Sequence, residues 1–330
     1  MENKQIIFVE KNTAVLEDVP YRIPEEGEVV VETAFSTVSC GTEKANIQGI
    51  VNKFPIKYLG YSSSGTVIAK GDGVKNVEIG DKVVVYWGTH SRYNTVPEYK
   101  VVKIDEGVDM QQAAMSFIAT FSLAAIRKTR FEIGESAIVV GLGLLGQLAV
   151  KLLRAAGACP VIAIDPVEER RNEALENGAD YAFDPSEENM AKKIKELTNG
   201  GANVAIEVTG VGAGLDTALD CMARFGRVAL LGCTRDKNFT IDYYGKVHAP
   251  GITLVGAHTT ARPEFESHPG WFTHSDDIKA VFKLLLGGRL DLSSLIKKTY
   301  SPEECYGVYT QLASDRNFPI TVQFDWSLLK

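Results

Sequence analysis

SAIVVGLGLLG, residues 136 to 146, followed by QLAVKLLRAAGACPVIAID as far as residue 165, decides the fold. Ala137 to Val140 is a short apolar run that ends in Gly141, Gly143 and Gly146. Leu144, Leu145, Leu148, Leu152 and Leu153 then recur at helical spacing until Gly157 and Pro160 stop the helix. A second apolar run, Val161 to Ile164, ends in a carboxylate, Asp165. A strand that turns tightly into a helix presents free backbone N–H groups, here beside Leu144 and Leu145, where the helix dipole favours negative charge. Glycines at that turn let a pyrophosphate approach them. Asp165, 19 positions after Gly146, is placed to accept hydrogen bonds from ribose hydroxyls. Strand, glycine turn, amphipathic helix, second strand and terminal Asp agree on a dinucleotide site, against the plainer reading of a tight packing turn.

Asp165 also selects the dinucleotide. An ionised carboxylate repels a 2′-phosphate, which favours NAD over NADP. Arg170 and Arg171 lie five and six residues on, near enough in sequence to meet that 2′-phosphate of the cofactor, or else to form part of a solvated helix face.

A chain of 330 residues is long enough for two domains, and its 45% hydrophobic and 23% charged residues are ordinary for a globular protein. A net charge of −7 leaves no surplus of Lys and Arg for neutralising phosphates, so nucleic acid is not expected as a partner. The opening MENKQIIFVE carries acid and no long apolar core, unlike a secretory leader, and no apolar run reaches membrane-spanning length. The five cysteines, Cys40, Cys159, Cys221, Cys233 and Cys305, are scattered, with no C-x-x-C pair. That usage predicts reduced thiols in a cytoplasm and no cysteine-only zinc site.

Along the chain, residues 1 to about 110 read as short strands between turn residues, namely Gln5 to Val9, Glu28 to Thr33, Ser64 to Ala69, Lys82 to Tyr86 and Tyr99 to Ile104. A helical pattern covers Met110 to Lys128. Strands and helices then alternate through Ala137 to Val140, Val161 to Ile164, Tyr181 to Asp184, Val204 to Val208, Arg227 to Leu231 and Ile252 to Val255, which predicts an α/β doubly wound parallel sheet. One helix, Ser275 to Leu286, and a strand-like run, Ile320 to Phe324, follow.

PEEGEVVV at 24 to 31, CGTE at 40 to 43, GVKNVEIGDKV at 73 to 83, the glycine turn, IEVTG at 206 to 210 and GRVALLG at 226 to 232 together resemble the medium-chain dehydrogenase/reductase superfamily. The resemblance runs essentially the whole length. It implies a Rossmann coenzyme domain, 126–260, and a GroES-like β-rich catalytic domain built from 1–125 and 261–330, with substrate in the cleft between them. It further implies that Thr120 contacts the nicotinamide, and that Val208, Thr209, Gly210, Gly232 and Cys233, at the ends of the fourth and fifth strands, line the cofactor site, where open α/β sheets bind ligand.

The departures from the family pattern bear on chemistry. Zinc members hold the metal through a Cys of a CGTD motif, a His of a GHE motif and a further Cys or acid. Here Cys40 remains, but Gly60-Tyr61-Ser62 replaces GHE, and Ser116 or Phe117 falls at the third position. One surviving thiol is too few donors for zinc, and the four-cysteine lobe of the family is missing, so no metal is expected. His258, His268 and His274 are close in sequence, and are read as surface or loop histidines or substrate contacts ahead of metal ligands, because their spacings match no ligand pattern.

Without a metal, a side chain or ordered water must take the alcohol proton during hydride transfer. Tyr61 occupies the lost ligand's place and is a candidate proton carrier, provided that neighbours lower its phenol pKa, or else a cavity filler. By the same resemblance Thr42 contacts the substrate oxygen, and Glu43 matches an acid that supports the metal site and is free here to act as a base. His90, expected on a shortened loop bordering the cleft, is a further proton carrier. Cys40 is read as a packed residue rather than a nucleophile.

These readings converge on a zinc-independent NAD-linked oxidoreductase of secondary alcohols or ketones, with a polyol, cyclitol or sugar as substrate. Alternatives are a quinone or enoyl reductase, a redox-neutral sugar enzyme with tightly held NAD, and a non-catalytic NAD(H)-binding protein. The apolar last strand of the coenzyme domain predicts a homodimer.

Overall fold

The computed structural model describes residues 2–234, 238–315 and 317–329. The chain divides into two compact units, one of residues 1–118 and 278–330, the other of 119–277.

The first unit opens with an antiparallel hairpin of β1 (Glu2–Glu10) and β2 (Thr13–Pro20). Next come β3 (Glu28–Thr37), a short helix α1 (Cys40–Ile47), β4 (Ser62–Lys70), β5 (Lys82–Tyr86), β6 (Tyr93–Pro97) and β7 (Val101–Lys103). Strand β3 is the hub, pairing antiparallel with β4 along one edge and with β6. The inward residues of this sheet are β-branched, among them Val29, Val31, Val67, Val83, Val85 and Val96, and they close a valine core as alternation on a half-buried sheet requires. Neither α1 nor the strands β2 and β6 was expected from the sequence. Helix α2 (Met110–Lys128) then crosses from the first unit to the second.

The second unit contains β8 (Ala137–Val140), α3 (Leu144–Ala156), β9 (Val161–Ile164), α4 (Glu168–Glu176), β10 (Tyr181–Phe183), α5 (Met190–Leu197), β11 (Ala202–Glu207), α6 (Gly212–Asp220), β12 (Met222–Leu230) and β13 (Thr253–Gly256). Its six strands are parallel in the order β10-β9-β8-β11-β12-β13, the doubly wound arrangement expected. Strands β8 and β9 are buried along their whole length, which is why they read as unbroken apolar runs. Gly157, with φ of 92°, ends α3 in a left-handed cap.

Helix α7 (His274–Leu286) leads back to the first unit, followed by β14 (Thr299–Tyr300), α8 (Cys305–Ser314) and β15 (Gln323–Asp325), which pairs antiparallel with β3. Tyr309 of α8, Phe324 and Trp326 pack with Ile6, Phe8 and Ile47 in a second core of this unit.

The units divide at 118/119 and 277/278 rather than at the expected 125/126 and 260/261. Arg262 donates to the Thr120 carbonyl at 3.1 Å, and Arg127 lies 3.0 Å from the Asp277 carboxylate. These ties join the end of α2 to residues 262–277 within the second unit. Among the described residues no helix is long and apolar enough to cross a membrane, and all five cysteines are free thiols.

Candidate active site

The glycine turn between β8 and α3 is as tight as the sequence demands. Gly141 has φ of 93°, and a Cβ on Gly146 would sit 2.0 Å from the Gly141 carbonyl oxygen, so strand and helix approach only because both residues are glycine. Gly143 differs. Its φ is −69°, and a Cβ there would meet nothing within 4 Å among the described residues beyond its chain neighbours. Glycine at 143 thus serves no internal contact, as expected of a residue that clears space for an approaching phosphate. Leu144 and Leu145 form the first turn of α3, and the Leu145 carbonyl accepts from Ser122 Oγ at 2.7 Å.

Asp165, 4% exposed, ends β9 and faces this turn. Its Oδ2 accepts from Leu142 N at 2.7 Å and its Oδ1 from Val167 N at 2.8 Å. The carboxylate therefore braces the turn as well as offering its remaining lone pairs to a ribose. Arg170 Nη1 stands 3.8 Å from Asp165 Oδ2, while Arg171 is engaged with the Asp165 carbonyl and the Asp184 carboxylate. Beyond β11, Val208 is half-buried, Thr209 exposed and Gly210 buried. Beyond β12, Gly232 is half-buried and Cys233 exposed.

Sequence reasoning missed the residue that organises this edge. Glu207, 3% exposed, accepts from Thr209 N at 2.7 Å, from the Thr209 hydroxyl and from Gly210 N at 3.1 Å. Burial pushes its pKa up, and those hydrogen bonds oppose the shift. The available signal was an acid at the end of an apolar strand, a position that costs free energy unless its oxygens are used. Thr120 is fully buried in the same unit. The fit to a dinucleotide rests on the glycine cradle and the braced carboxylate.

The residues expected to do chemistry lie in the other unit, where α1 begins. Thr42 is exposed, and Glu43 is 1% exposed. Glu43 Oε1 accepts from Ser39 N at 2.9 Å, satisfying a donor that the helix start leaves open. Its Oε2 accepts from the Tyr309 hydroxyl and stands 3.3 Å from His90 Nε2. His90 Nδ1 lies 2.7 Å from Ser36 Oγ, which also accepts from Trp326 Nε1 at 2.9 Å. His90 lies on the loop between β5 and β6 and is fully buried, its ring edge-on to Phe324 at a centroid distance of 5.4 Å. Polar partners on both ring nitrogens make that burial affordable.

Tyr61 donates to Ser39 Oγ at 2.6 Å and also hydrogen-bonds Thr42. Its ring packs in one cluster with Trp87 and Phe117, with centroids at 5.5 and 5.9 Å. Burial drives the phenol pKa up to about 12, against the lowering effect of Ser39 and Thr42. The lowered pKa that a phenolate base requires is not found, and Tyr61 is a hydrogen-bond donor. Gly60, with φ of 80°, makes this possible, since a Cβ there would stand 2.2 Å from His90 Cγ.

The residues do not fit a zinc ion. Cys40 Sγ lies 3.5 Å from the Pro319 carbonyl, Ser116 Oγ donates to the Gln112 carbonyl at 3.2 Å, and Phe117 is in an aromatic cluster with Tyr61 and Tyr86. Among the described residues no three His, Cys, Asp or Glu side chains are placed to share a metal. His258 is paired with Thr260 at 2.8 Å, His268 packs on Trp271, and His274 lies near Phe121, so these three histidines do not converge.

Comparison with known proteins agrees with the fold and with the turn. A model described as "Zinc-binding dehydrogenase" matches residues 145–271, and one described as "Alcohol dehydrogenase GroES-like domain" matches residues 25–106. The L-threonine 3-dehydrogenase of Pyrococcus furiosus is 28% identical over 323 residues, 88% of each chain. The D-guloside 3-dehydrogenase of Escherichia coli is 28% identical over 273 residues, 81% of this chain and 77% of that one. The crystal structure of 2R,3R-butanediol dehydrogenase from Bacillus subtilis superposes with a TM-score of 0.84 at 23% identity, covering 98% of this chain and 99% of the other. With its parallel sheet, its glycine turn and both halves of its length matched in this way, the chain belongs to the medium-chain dehydrogenase/reductase superfamily.

Proposed function

We propose that the protein oxidises a secondary alcohol of the polyol, cyclitol or sugar class, or reduces the corresponding ketone, with NAD and without zinc. An oxidoreductase acting at CH–OH follows from the family; the cofactor, the absence of metal and the substrate class are the proposal. The observation that carries it is the Tyr61–Ser39–Glu43–His90 arrangement, in which hydroxyls, a carboxylate and an imidazole occupy the part of the chain where zinc members hold their metal.

When bound, NAD supplies the hydride acceptor. The chain's own task is to hold the alcohol and take its proton. Thr42, exposed and hydrogen-bonded to Tyr61, is the contact for the substrate oxygen. Tyr61 keeps its proton well into the alkaline range, so it moves charge by donating one proton as it receives another, passing it toward Ser39. Glu43 and His90 form the buried pair behind that hydroxyl cluster, and Tyr309 and Ser36 fix both of them in orientation. A general acid–base relay of this kind typically contributes 10²–10⁴-fold. Asp165 favours NAD, because a 2′-phosphate would meet its carboxylate. D-guloside 3-dehydrogenase, by its name, acts on a sugar derivative, which supports the substrate class.

The test is NADH formation by chelator-treated protein with NAD and a panel of polyols, cyclitols and sugars. Turnover insensitive to chelation supports the proposal. Tight NAD binding with no turnover on any panel member would leave a non-catalytic NAD(H)-binding protein as the better reading.

A further inference from the structure

In the parallel-sheet unit, the end of α2 faces the loop between β13 and α7 through a charge cluster that neither half-site uses. Asp277, fully buried, is held by Arg127 Nη1 at 3.0 Å and by Arg262 Nη1 at 3.1 Å. The second terminal nitrogen of Arg262 donates to the Thr120 carbonyl, and the Arg127 guanidinium lies 3.7 Å from the Phe272 ring centroid. Both arginines are therefore positioned by partners. Lys128 is not. It is 6% exposed, its Nζ makes no hydrogen bond with any described residue, and it stands 4.9 Å from the Trp271 ring.

The loop covering this lysine is stapled. His268 and Trp271 exchange two backbone hydrogen bonds of 2.8 Å. Thr273 N donates to Ser267 Oγ, Ser267 Oγ donates to Asp276 Oδ2, and Asp276 N donates to Thr273 Oγ1. Three cations, Arg127, Lys128 and Arg262, thus face two carboxylates, Asp276 and Asp277, and a positive charge is left over in a buried setting. A buried charge without a partner costs several kcal/mol, so the cluster calls for a counter-anion. His274 borders it, and burial beside Arg262 and Lys128 drives its pKa down to about 3, leaving an uncharged imidazole that can donate an N–H.

We propose that Lys128, with Arg262 and His274, binds an oxyanion, a carboxylate or phosphate carried by the substrate. That the carrier is an alcohol substrate rests on the proposed function; the anion site rests on the cluster alone. Lys128 lies eight residues along α2 from Thr120, about 12 Å by helical rise. Its side chain leans back toward the helix N-terminus and so toward Thr120. Its pKa is lowered to about 8, mainly by burial, so anion binding weakens above that pH as the amine loses its proton.

The test uses the full chain at constant ionic strength in chloride. Thermal unfolding and titration calorimetry are run with inorganic phosphate and with acetate, on the parent and on Lys128→Met. The parent midpoint rises by several degrees with the preferred anion. The variant starts higher, because a buried charge is gone, and does not respond, with affinity weaker by about tenfold or more. Where the variant does not fold, protection of Lys128 in the parent from amine labelling by the same anion gives the answer. In parallel, kcat/KM is compared for a neutral polyol, a sugar acid and a polyol phosphate, and the anionic-to-neutral ratio collapses in the variant. No anion response in the parent, or an equal one in Lys128→Met, overturns the site. An anion response with no alcohol oxidised supports the site and overturns only the alcohol reading.

Discussion

Asp165 Oδ2 accepts the backbone N–H of Leu142 at 2.7 Å, tying the end of β9 to the glycine turn that follows β8. One carboxylate thus shapes the turn and, in the proposed function, also meets the ribose of the cofactor. Asp165→Ala removes the acceptor of two backbone donors and is expected to cost about 1–3 kcal/mol of stability in urea unfolding, with NADH affinity falling by about tenfold or more. Asp165→Ser leaves Arg170 beside a neutral residue, and fluorescence titration is expected to show the NADPH-to-NADH affinity ratio rising. An unchanged ratio would remove Asp165 as the discriminating residue.

Glu43→Gln keeps the shape of the side chain and removes its charge. The amide can donate as well as accept, so one of its contacts with Ser39 N, Tyr309 and His90 is mispaired. A loss of about 1–3 kcal/mol is expected, together with a fall in turnover larger than any change in KM. Wild-type turnover in this variant would relegate the Glu43–His90 pair to packing.

Tyr61→Phe deletes the donor to Ser39. With the phenol pKa raised to about 12, no activity limb from Tyr61 ionisation is expected below about pH 10 in the parent, and turnover in the variant falls by about 10²-fold. Its raised folded pKa also means that the stability Tyr61 contributes is present below pH 10 and lost as pH rises through 12.

His274 gives the opposite acid–base signature. Its folded pKa is depressed to about 3 by burial and by the cations Arg262 and Lys128. The associated stability is present above about pH 6.5 and is lost as pH falls toward 3. Asp277, raised to about 6 chiefly by its burial, runs the other way, being lost as pH rises through 6. Comparison of parent with His274→Gln cancels the Asp277 contribution, and the variant is expected to gain relative stability steadily between pH 6.5 and 4 in denaturant titrations. A pH-independent difference would show His274 to be solvated.

Among the described residues strand β13 pairs with β12 alone, and Leu254 on it is 36% exposed. Pairing with a second copy along this strand predicts a light-scattering mass of twice the 36.0 kDa chain, and Leu254→Lys is expected to shift it to the monomer.

The parallel sheet was readable in the sequence because its signals are local. Val161 to Ile164 is buried throughout, and Leu148 and Leu152 share one face of α3, so each element announces itself within a dozen residues. Helix α1 was not readable, since CGTEKANI carries no apolar stripe and becomes helical through its packing against α8. The burial of His90 was not readable for a related reason. Its partners Ser36 and Glu43 stand 54 and 47 residues before it, and no local pattern shows that both ring nitrogens are satisfied. The Arg127–Lys128–Arg262–Asp277 cluster joins residues 150 positions apart, and in sequence each reads as an ordinary surface charge.

Gly143 carries a consequence for how this protein can be improved or damaged. Alanine at that position fits the folded chain without a clash, and it restricts the unfolded chain, which typically adds about 0.4–1 kcal/mol. In the proposed function the same methyl group would stand where a pyrophosphate must come close. A variant selected for heat resistance alone would therefore accept Gly143→Ala and emerge sturdier but unable to hold its cofactor. At this one position, selection for durability and selection for catalysis pull in opposite directions.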